Sequence, residues 1–123
     1  MSKKKIAIID DEVQILTMLQ RYLSKGDRYD VTTFSDSTQG LNSVLNTHYD
    51  LVLLDIMMPK MDGIEVLDRI KEKKPETKVI MMTAFSTLDR VLKTHKIGAE
   101  NYMMKPFESL ALLNEKIENL ISK

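Results

Sequence analysis

The chain has 123 residues, of which 43% are hydrophobic, and this size fits one domain with its own hydrophobic core. Its 18 basic and 18 acidic residues balance, so overall charge does not direct it to nucleic acid or to an acidic membrane surface. The absence of cysteine excludes disulfides, thiolate chemistry and cysteine-based metal sites.

The N-terminal segment predicts a strand followed by a helix. KIAII (5–9) is short and apolar, which is typical of a buried strand, and three acidic residues follow it directly. The run is shorter than the roughly 7–15 apolar residues of an export signal, and no run approaches the roughly 20 residues of a membrane span. We therefore expect a cytosolic protein. Apolar residues at helical spacing continue from Ile15 to Leu23, and Gly26 is a typical helix end.

The middle of the chain repeats this strand–helix pattern twice. DVTTF (30–34) predicts a second strand, and its polar content is typical of a sheet edge. The apolar stripe within 41–45 predicts a second helix. LVLL (51–54) predicts a buried third strand, and the stripe within 64–70 predicts a third helix. KEKK (71–74) is interpreted as the solvated end of that helix, where positive charge complements the helix dipole.

The C-terminal part completes five strand–helix pairs. KVIMMT (78–83) predicts a fourth strand, and apolar residues within 88–92 predict a weaker fourth helix. ENYMMK (100–105) predicts the fifth strand, and the last helix begins near Ser109. Pairs that recur at about 25 residues are typical of right-handed crossovers that build a parallel sheet. We therefore predict a three-layer α/β domain.

Acidic residues leave two strands at the same edge of this predicted sheet. Asp10 and Asp11 follow the first strand, and Asp55 follows the third. Ligands of open parallel sheets bind beyond the carboxyl ends of the strands, so the three carboxylates would share a pocket if these strands are neighbours. Repulsion of about 4 kcal/mol between two such charges favours a cation, and oxygen ligands suit Mg²⁺. The alternative is that Asp10 or Asp11 only caps the first helix.

Two further polar residues end strands at this edge. Thr83 ends the fourth strand, and Lys105 ends the fifth, just before Pro106. A hydroxyl, an ammonium, a divalent cation and a free carboxylate together form a site that can receive a phosphoryl group. In such a site Asp55 would attack phosphorus, Lys105 would neutralise the phosphoryl oxygens, and Thr83 would donate a hydrogen bond to one of them.

Four motifs at these strand ends carry a family resemblance. IIDDE, LVLLDIMMPKMDG, VIMMTA and YMMKPF resemble the receiver domain of bacterial two-component response regulators, over essentially the whole chain. The resemblance implies a CheY-like, flavodoxin-like (βα)5 fold with a five-stranded parallel sheet in the order 2-1-3-4-5. It also implies one receiver domain over residues 1–123, without an output domain.

The resemblance implies roles for the acidic residues. Asp55 would be the phosphoacceptor of a signalling domain rather than the nucleophile of an enzyme, with only its own phosphorylation and dephosphorylation as chemistry. Asp10, Asp11, Asp55 and the backbone carbonyl of Met57 would hold Mg²⁺ or Mn²⁺. Met57 and Phe85 are apolar where many family members carry polar groups that guide water, so we expect slow hydrolysis of the phosphoryl group.

The resemblance also implies a switch. Thr83 would be the switch hydroxyl, Lys105 the phosphate-facing lysine, and Pro106 the residue after a cis peptide bond. Tyr102 would turn inward when Thr83 moves toward the phosphoryl group. The alternatives are that Pro106 is a trans proline that begins the last helix, and that Tyr102 only packs on an edge strand.

The expected partners follow from the same resemblance. A sensor histidine kinase or a histidine phosphotransfer protein would donate the phosphoryl group. A downstream protein would bind the face formed by the fourth helix, fifth strand and fifth helix. The chain would be a monomer or weak dimer that binds neither nucleic acid nor membrane.

Two other functional classes use related chemistry or the same fold. One is a Mg²⁺-dependent phosphohydrolase with an aspartyl-phosphate intermediate, of the haloacid dehalogenase type. Such enzymes usually carry a second acid two residues after the nucleophile, where this chain has Met57. The other is a flavin-binding module, which needs a Ser/Thr/Gly-rich loop after the first strand, where this chain has DDEVQ.

Overall fold

A computed structural model of the protein describes residues 3–84, 88–107 and 109–122, with Leu88 described by its backbone alone. In these residues, strands and helices alternate along the chain: β1 (Lys4–Ile9), α1 (Val13–Ser24), β2 (Tyr29–Phe34), α2 (Ser37–Asn46), β3 (Leu51–Asp55), α3 (Gly63–Lys73), β4 (Lys78–Ala84), α4 (Leu88–Ile97), β5 (Asn101–Lys105) and α5 (Leu110–Ile121). None of the described helices is long and apolar enough to cross a membrane.

The strands form one parallel sheet in the order β2-β1-β3-β4-β5. This order and the three-layer α/β architecture confirm the predicted fold class. The strand β3 is buried along its whole length, as its continuous apolar sequence predicts for a strand covered on both faces. The half-polar strand β2 lies at one edge, as predicted, and β5 lies at the other.

Two hydrophobic layers hold the helices on the two faces of the sheet. Alternation along β1 divides its side chains between them, since Ala7 and Ile9 face one layer and Ile6 and Ile8 face the other. The first layer contains apolar residues of α2, α3 and α4, and the second contains those of α1 and α5. Each large side chain buried in this way contributes about 1.5–3 kcal/mol through the hydrophobic effect.

Three helices begin at a residue whose side chain caps them. Asp36, Asp62 and Ser109 cap α2, α3 and α5, because each side chain accepts hydrogen bonds from backbone N–H groups of the first turn. The first helix differs, since its N-cap is Glu12 and makes no side-chain cap. The alternative prediction that an aspartate after β1 caps this helix is therefore wrong.

The end of α3 is less solvated than its lysine-rich sequence indicates. The Lys71 side chain is only 11% exposed, and its Nζ lies 2.9 Å from Glu100 Oε2. The same Nζ donates to the carbonyl oxygen of Thr77 at 2.6 Å, and Glu100 Oε1 accepts from the Val79 N–H at 2.7 Å. The solvated interpretation is therefore wrong for Lys71, which ties α3 to the beginnings of β4 and β5.

Candidate functional site

The carboxyl ends of β1 and β3 bring three aspartates together. Ile9 pairs with Leu54 in the parallel register, so the next residues, Asp10 and Asp55, leave the sheet side by side. Carboxylate oxygens of Asp10, Asp11 and Asp55 lie within 4.8 Å of one another. Asp10 and Asp55 are buried, whereas Asp11 is exposed. The pocket therefore has two buried acids and one that faces solvent.

Lys105 reaches this pocket from the edge strand β5. Its Nζ lies 2.8 Å from Asp10 Oδ2, 3.0 Å from Glu12 Oε1 and 3.3 Å from Asp55 Oδ1. The lysine side chain is only 12% exposed, so these contacts are partly shielded from water. Glu12 was not predicted as a site residue, although its position directly after the two aspartates was a usable signal.

Burial shapes the electrostatics of the pocket. It raises the pKa of Asp55 to about 7, and the negative charge of Asp10 adds to this rise while Lys105 opposes it. Burial also raises the pKa of Asp10, although Lys105 and the Glu12 N–H stabilise its ionised form. Burial alone would lower the pKa of Lys105, but its contacts with Asp10 and Glu12 outweigh burial and raise it. The lysine therefore stays protonated at neutral pH.

The donor set fits a hard divalent cation. Asp10 Oδ2 is fully buried and receives no hydrogen bond of regular geometry from the described residues, although Lys105 Nζ lies near it. Three clustered carboxylates outnumber the one ammonium beside them. Carboxylate oxygens with this excess of negative charge are the ligands that Mg²⁺ and similar ions prefer. Met57 lies in the loop after β3, with its side chain half exposed.

The predicted switch residues occupy the neighbouring strands. Thr83 is fully buried in β4, one residue beyond Met82, which pairs with Asp55. Its hydroxyl donates to the Ala84 carbonyl oxygen at 3.1 Å. The Tyr102 side chain on β5 is 40% exposed and so points outward. Phe85 lies outside the described residues.

Backbone geometry shapes the loops around the pocket. The peptide bond between Lys105 and Pro106 is cis. In the loop after β3, the Gly63 N–H donates to the Ile56 carbonyl oxygen at 2.7 Å. A Cβ at Gly63 would collide with the Asp55 carbonyl oxygen and would lie 2.8 Å from Ile56 Cα. The absence of a side chain at Gly63 therefore allows the loop to fold back onto Asp55.

A family model and known proteins match this chain. The model described as the response regulator receiver domain matches residues 6–118. The chain is 42% identical to the alkaline phosphatase synthesis transcriptional regulatory protein PhoP of Bacillus subtilis (strain 168), over 85% of this chain and 43% of that protein. It is 40% identical to the transcriptional regulatory protein ZraR of Klebsiella oxytoca, over 84% of this chain and 23% of that protein. The chain thus spans less than half the length of these curated relatives.

Solved structures match over nearly the full chain. A response regulator receiver domain from Clostridium thermocellum has a TM-score of 0.88 and 36% identity, with 97% of this chain and 94% of that chain covered. The BeF3-activated DrrB receiver domain has a TM-score of 0.89 and 33% identity, with 99% of this chain and 100% of that chain covered. These structures share the fold and the element order described above.

Proposed function

Because this chain belongs to the response regulator receiver domain family of two-component systems, we propose that Asp55 is its phosphoacceptor. The observation that supports this role most directly is the convergence of Asp10, Asp11 and Asp55, with Lys105 Nζ 3.3 Å from Asp55 Oδ1. A carboxylate nucleophile lies there beside further acids and a fixed positive charge, which is the combination that phosphoryl transfer to a carboxylate requires.

The proposed reaction transfers a phosphoryl group from a phosphohistidine to Asp55. An Asp55 oxygen forms the new bond to phosphorus while the bond between phosphorus and the imidazole nitrogen breaks. The electron pair of that bond stays on the imidazole, which ends neutral after proton exchange with solvent, and an acyl phosphate forms on Asp55. Lys105 stabilises negative charge on the phosphoryl oxygens, and the Thr83 hydroxyl turns to donate to one of them.

The acidic residues would hold the metal ion of this site. We assign Asp10, Asp11, Asp55 and the Met57 backbone carbonyl as ligands of Mg²⁺ or Mn²⁺. When bound, such an ion supplies positive charge that screens the carboxylates and the phosphoryl oxygens from one another. Asp10 and Asp55 are buried, whereas Asp11 would provide an oxygen at the solvent side.

Phosphorylation of Asp55 would change the conformation of the surface that binds a downstream protein. Movement of Thr83 toward the phosphoryl group leaves room for Tyr102 to turn inward, and the face formed by α4, β5 and α5 then binds a downstream protein differently. A nearly complete shift between two such states requires about 5.5 kcal/mol of differential stabilisation. Several charge-assisted hydrogen bonds to one phosphoryl group are of the right size to supply it.

The proposed partners of this chain are a phosphoryl donor and a downstream protein, and both are inferred from its family and from the chemistry of its site. Receiver domains interact with histidine kinases, and for this chain a sensor histidine kinase or a histidine phosphotransfer protein is the proposed donor. Relatives of this chain are transcriptional regulatory proteins. We assign the downstream contact to a protein that binds the α4–β5–α5 face, rather than to nucleic acid or membrane.

The alternative functions are not favoured. The family model and the relatives are those of response regulators, and Met57 stands where phosphohydrolases of the haloacid dehalogenase type usually carry a second acid. The proposed chemistry is therefore limited to phosphorylation and dephosphorylation of Asp55 itself. The acidic loop after β1 likewise does not suit the phosphate group of a flavin.

Mass spectrometry after incubation with acetyl phosphate and Mg²⁺ tests the phosphoacceptor. We expect one phosphoryl adduct on the wild-type protein and none on Asp55→Asn. Asp68→Asn, which alters an exposed aspartate of α3, is the matched control and should retain the adduct. An adduct that persists in Asp55→Asn would overturn the assignment.

Met57 supports a separate proposal about the lifetime of the phosphoryl group. It stands two residues after Asp55, and its side chain offers an attacking water no hydrogen-bond donor and only a weak thioether acceptor. We expect Met57→Asn, combined with Phe85→Glu, to shorten the lifetime of the adduct, measured by its decay after the phosphodonor is removed. An unchanged decay rate in the double variant would refute this proposal.

A further inference from the structure

Lys116 of α5 contacts the outer edge of β5 at Tyr102. Its Nζ donates to the Tyr102 carbonyl oxygen at 2.7 Å and to Asn101 Oδ1 at 3.2 Å. The same Nζ lies 5.2 Å from the centre of the Tyr102 ring, within the range of a cation–π interaction. Asn101 Oδ1 also accepts from the Tyr102 N–H at 2.8 Å. Side chains therefore hold both backbone polar groups of Tyr102 and its ring.

The charge of Lys116 has no carboxylate partner in the described part of the chain. Its ammonium is not among the ion pairs that the described residues form. Burial lowers the pKa of Lys116, as expected for a cation without an opposite charge. The side chain lies in a groove of about 460 Å³ between β5 and α5 whose wall includes Pro106 and Leu112. The Tyr102 ring therefore adds a favourable contact to the two hydrogen bonds that this ammonium donates.

This contact depends on the direction of the Tyr102 ring. The ring is 40% exposed and lies beside the groove. Rotation of Tyr102 into the protein would remove its face from Lys116, whereas the hydrogen bond to the Tyr102 carbonyl oxygen belongs to the backbone and would survive. The ring contact thus distinguishes the two orientations, and the backbone contact does not.

We propose that Lys116 is a positioning residue that holds the Tyr102 ring outward and so sets how readily phosphorylation turns the protein on. This inference rests on the proposed switching of Tyr102. A contact made only in the outward state shifts the equilibrium toward that state by its own free energy. By linkage, the same contact opposes phosphorylation if phosphorylation favours the inward ring. A cation–π contact at a partly exposed site corresponds to about a 2- to 5-fold shift.

Three substitutions separate this role from a structural one. Lys116→Met removes the cation and the donor, and Lys116→Gln removes the cation but keeps a donor for the backbone. Lys116→Arg keeps both, because a guanidinium also stacks on aromatic rings. Lys73→Gln removes a positive charge from the exposed last turn of α3, outside the α4–β5–α5 face, and serves as the control.

The ring orientation is read from the NMR shift of Tyr102 in protein with ¹³C-labelled tyrosine, assigned through Tyr102→Phe. We expect Lys116→Met and Lys116→Gln, without phosphodonor, to move this signal toward its position in acetyl phosphate-treated wild type. Both variants should also be phosphorylated by acetyl phosphate about 2- to 5-fold faster. Lys116→Arg and Lys73→Gln should behave as wild type.

The results distinguish a failure of the Lys116 inference from a failure of the proposed Tyr102 switch. If acetyl phosphate moves the Tyr102 signal of wild type but the Met and Gln variants leave it unchanged, Lys116 only covers an edge strand and the inference is wrong. If acetyl phosphate phosphorylates wild type without moving the Tyr102 signal, the proposed switch itself fails. Unfolding curves of each variant show that the compared proteins are folded.

Discussion

Asp55 shows how far burial changes the chemistry of one carboxyl group. Its pKa is raised from an ordinary value of 3.8 to about 7, first by burial and then by the charge of Asp10. The folded state thus binds the Asp55 proton more tightly than the unfolded state does. Stability from this group is therefore fully present below about pH 4 and is lost as pH rises through about 7. The raised pKa of Asp10 acts in the same direction.

We expect Asp55→Asn to be more stable than wild type at about pH 8 in the absence of divalent ions. The advantage reaches at most about 4 kcal/mol, because a pKa rise of about three units corresponds to that free energy. It should shrink below about pH 7 and vanish near pH 4. Urea unfolding at about pH 8 and about pH 5 measures it, with Asp68→Asn as control. An advantage that does not change between these pH values would contradict the prediction.

Adding one methyl group at Gly63 should strongly destabilise the fold. We expect Gly63→Ala to destabilise the fold by about 3 kcal/mol, because the added Cβ meets backbone atoms of Asp55 and Ile56 that cannot move independently. Gly26→Ala is the comparison, since its Cβ would meet open space and only the φ of +79° opposes it, at about 1–2 kcal/mol. Urea unfolding measures both, and equal effects would refute the steric explanation.

Strand polarity places Asp10, Asp11 and Asp55 at one edge of the predicted sheet, and the family resemblance supplies the strand order that makes β1 and β3 neighbours. The sequence does not predict the contact of Lys105 with Glu12, which joins residues 93 positions apart. Nor does it predict the contact of Lys116 with Tyr102. Both depend on side-chain directions at loops and edges, where hydrophobic periodicity carries no signal.

Secondary-structure elements are predicted well where apolar periodicity is strong. The alternation of strands and helices follows from apolar periodicity, and the edge position of β2 follows from the polar content of its sequence. The role of Lys71 follows from neither, because its partner Glu100 lies 29 residues away, just before β5. From local sequence, a lysine at a helix end can be either exposed to solvent or paired with an acidic residue. The fold must bring Glu100 beside it before the two can be distinguished.

The contact between Lys71 and Glu100 should stabilise the junction of α3, β4 and β5. We expect Lys71→Met to cost about 1–3 kcal/mol, because it leaves a partly buried carboxylate without its counter-ion. Glu100→Gln should cost less than that, since its amide oxygen can still accept from the Val79 N–H. Urea unfolding of both variants and of the double variant measures the coupling between the two residues.

Lys73→Met is the matched control for this cycle, because Lys73 lies in the same turn of α3 but is exposed. Its effect should stay within about 0.5 kcal/mol. If the two single substitutions of the Lys71–Glu100 pair prove additive in the double variant, the two side chains are energetically independent and the explanation fails.

At the scale of the whole molecule, the charge excess at the carboxyl end of the sheet links ion binding to folding. We expect Mg²⁺ to raise the free energy of unfolding by about 2.7 kcal/mol at a concentration 100-fold above its Kd. The increase should be much smaller in Asp11→Asn, which removes the exposed ligand and leaves the core intact. Thermal unfolding with and without Mg²⁺, at matched ionic strength, measures the difference.

Asp68→Asn is again the control, and it should respond to Mg²⁺ as wild type does. An equal gain from Na⁺ at the same ionic strength would show that general screening, rather than a bound ion, is responsible. Loss of the Mg²⁺ effect in Asp11→Asn alone would locate the ion at the aspartate cluster.

Periodicity in the sequence predicts one part of the overall architecture but not the strand order. The number of strand–helix pairs follows from local patterns. The strand order β2-β1-β3-β4-β5 comes instead from the family resemblance, because pairing joins segments that are distant along the chain and repetition alone does not identify neighbours.

The hydrophobic layer beneath α1 and α5 has a consequence for biosynthesis. Ile6, Ile8, Leu51 and Leu53 share this layer with residues of α5, which is synthesised after all five strands of the sheet. A nascent chain that has completed β5 but not α5 exposes these side chains, and such surfaces favour aggregation and chaperone binding. Emergence of α5 from the ribosome is thus the event that first allows this face of the sheet to be covered completely.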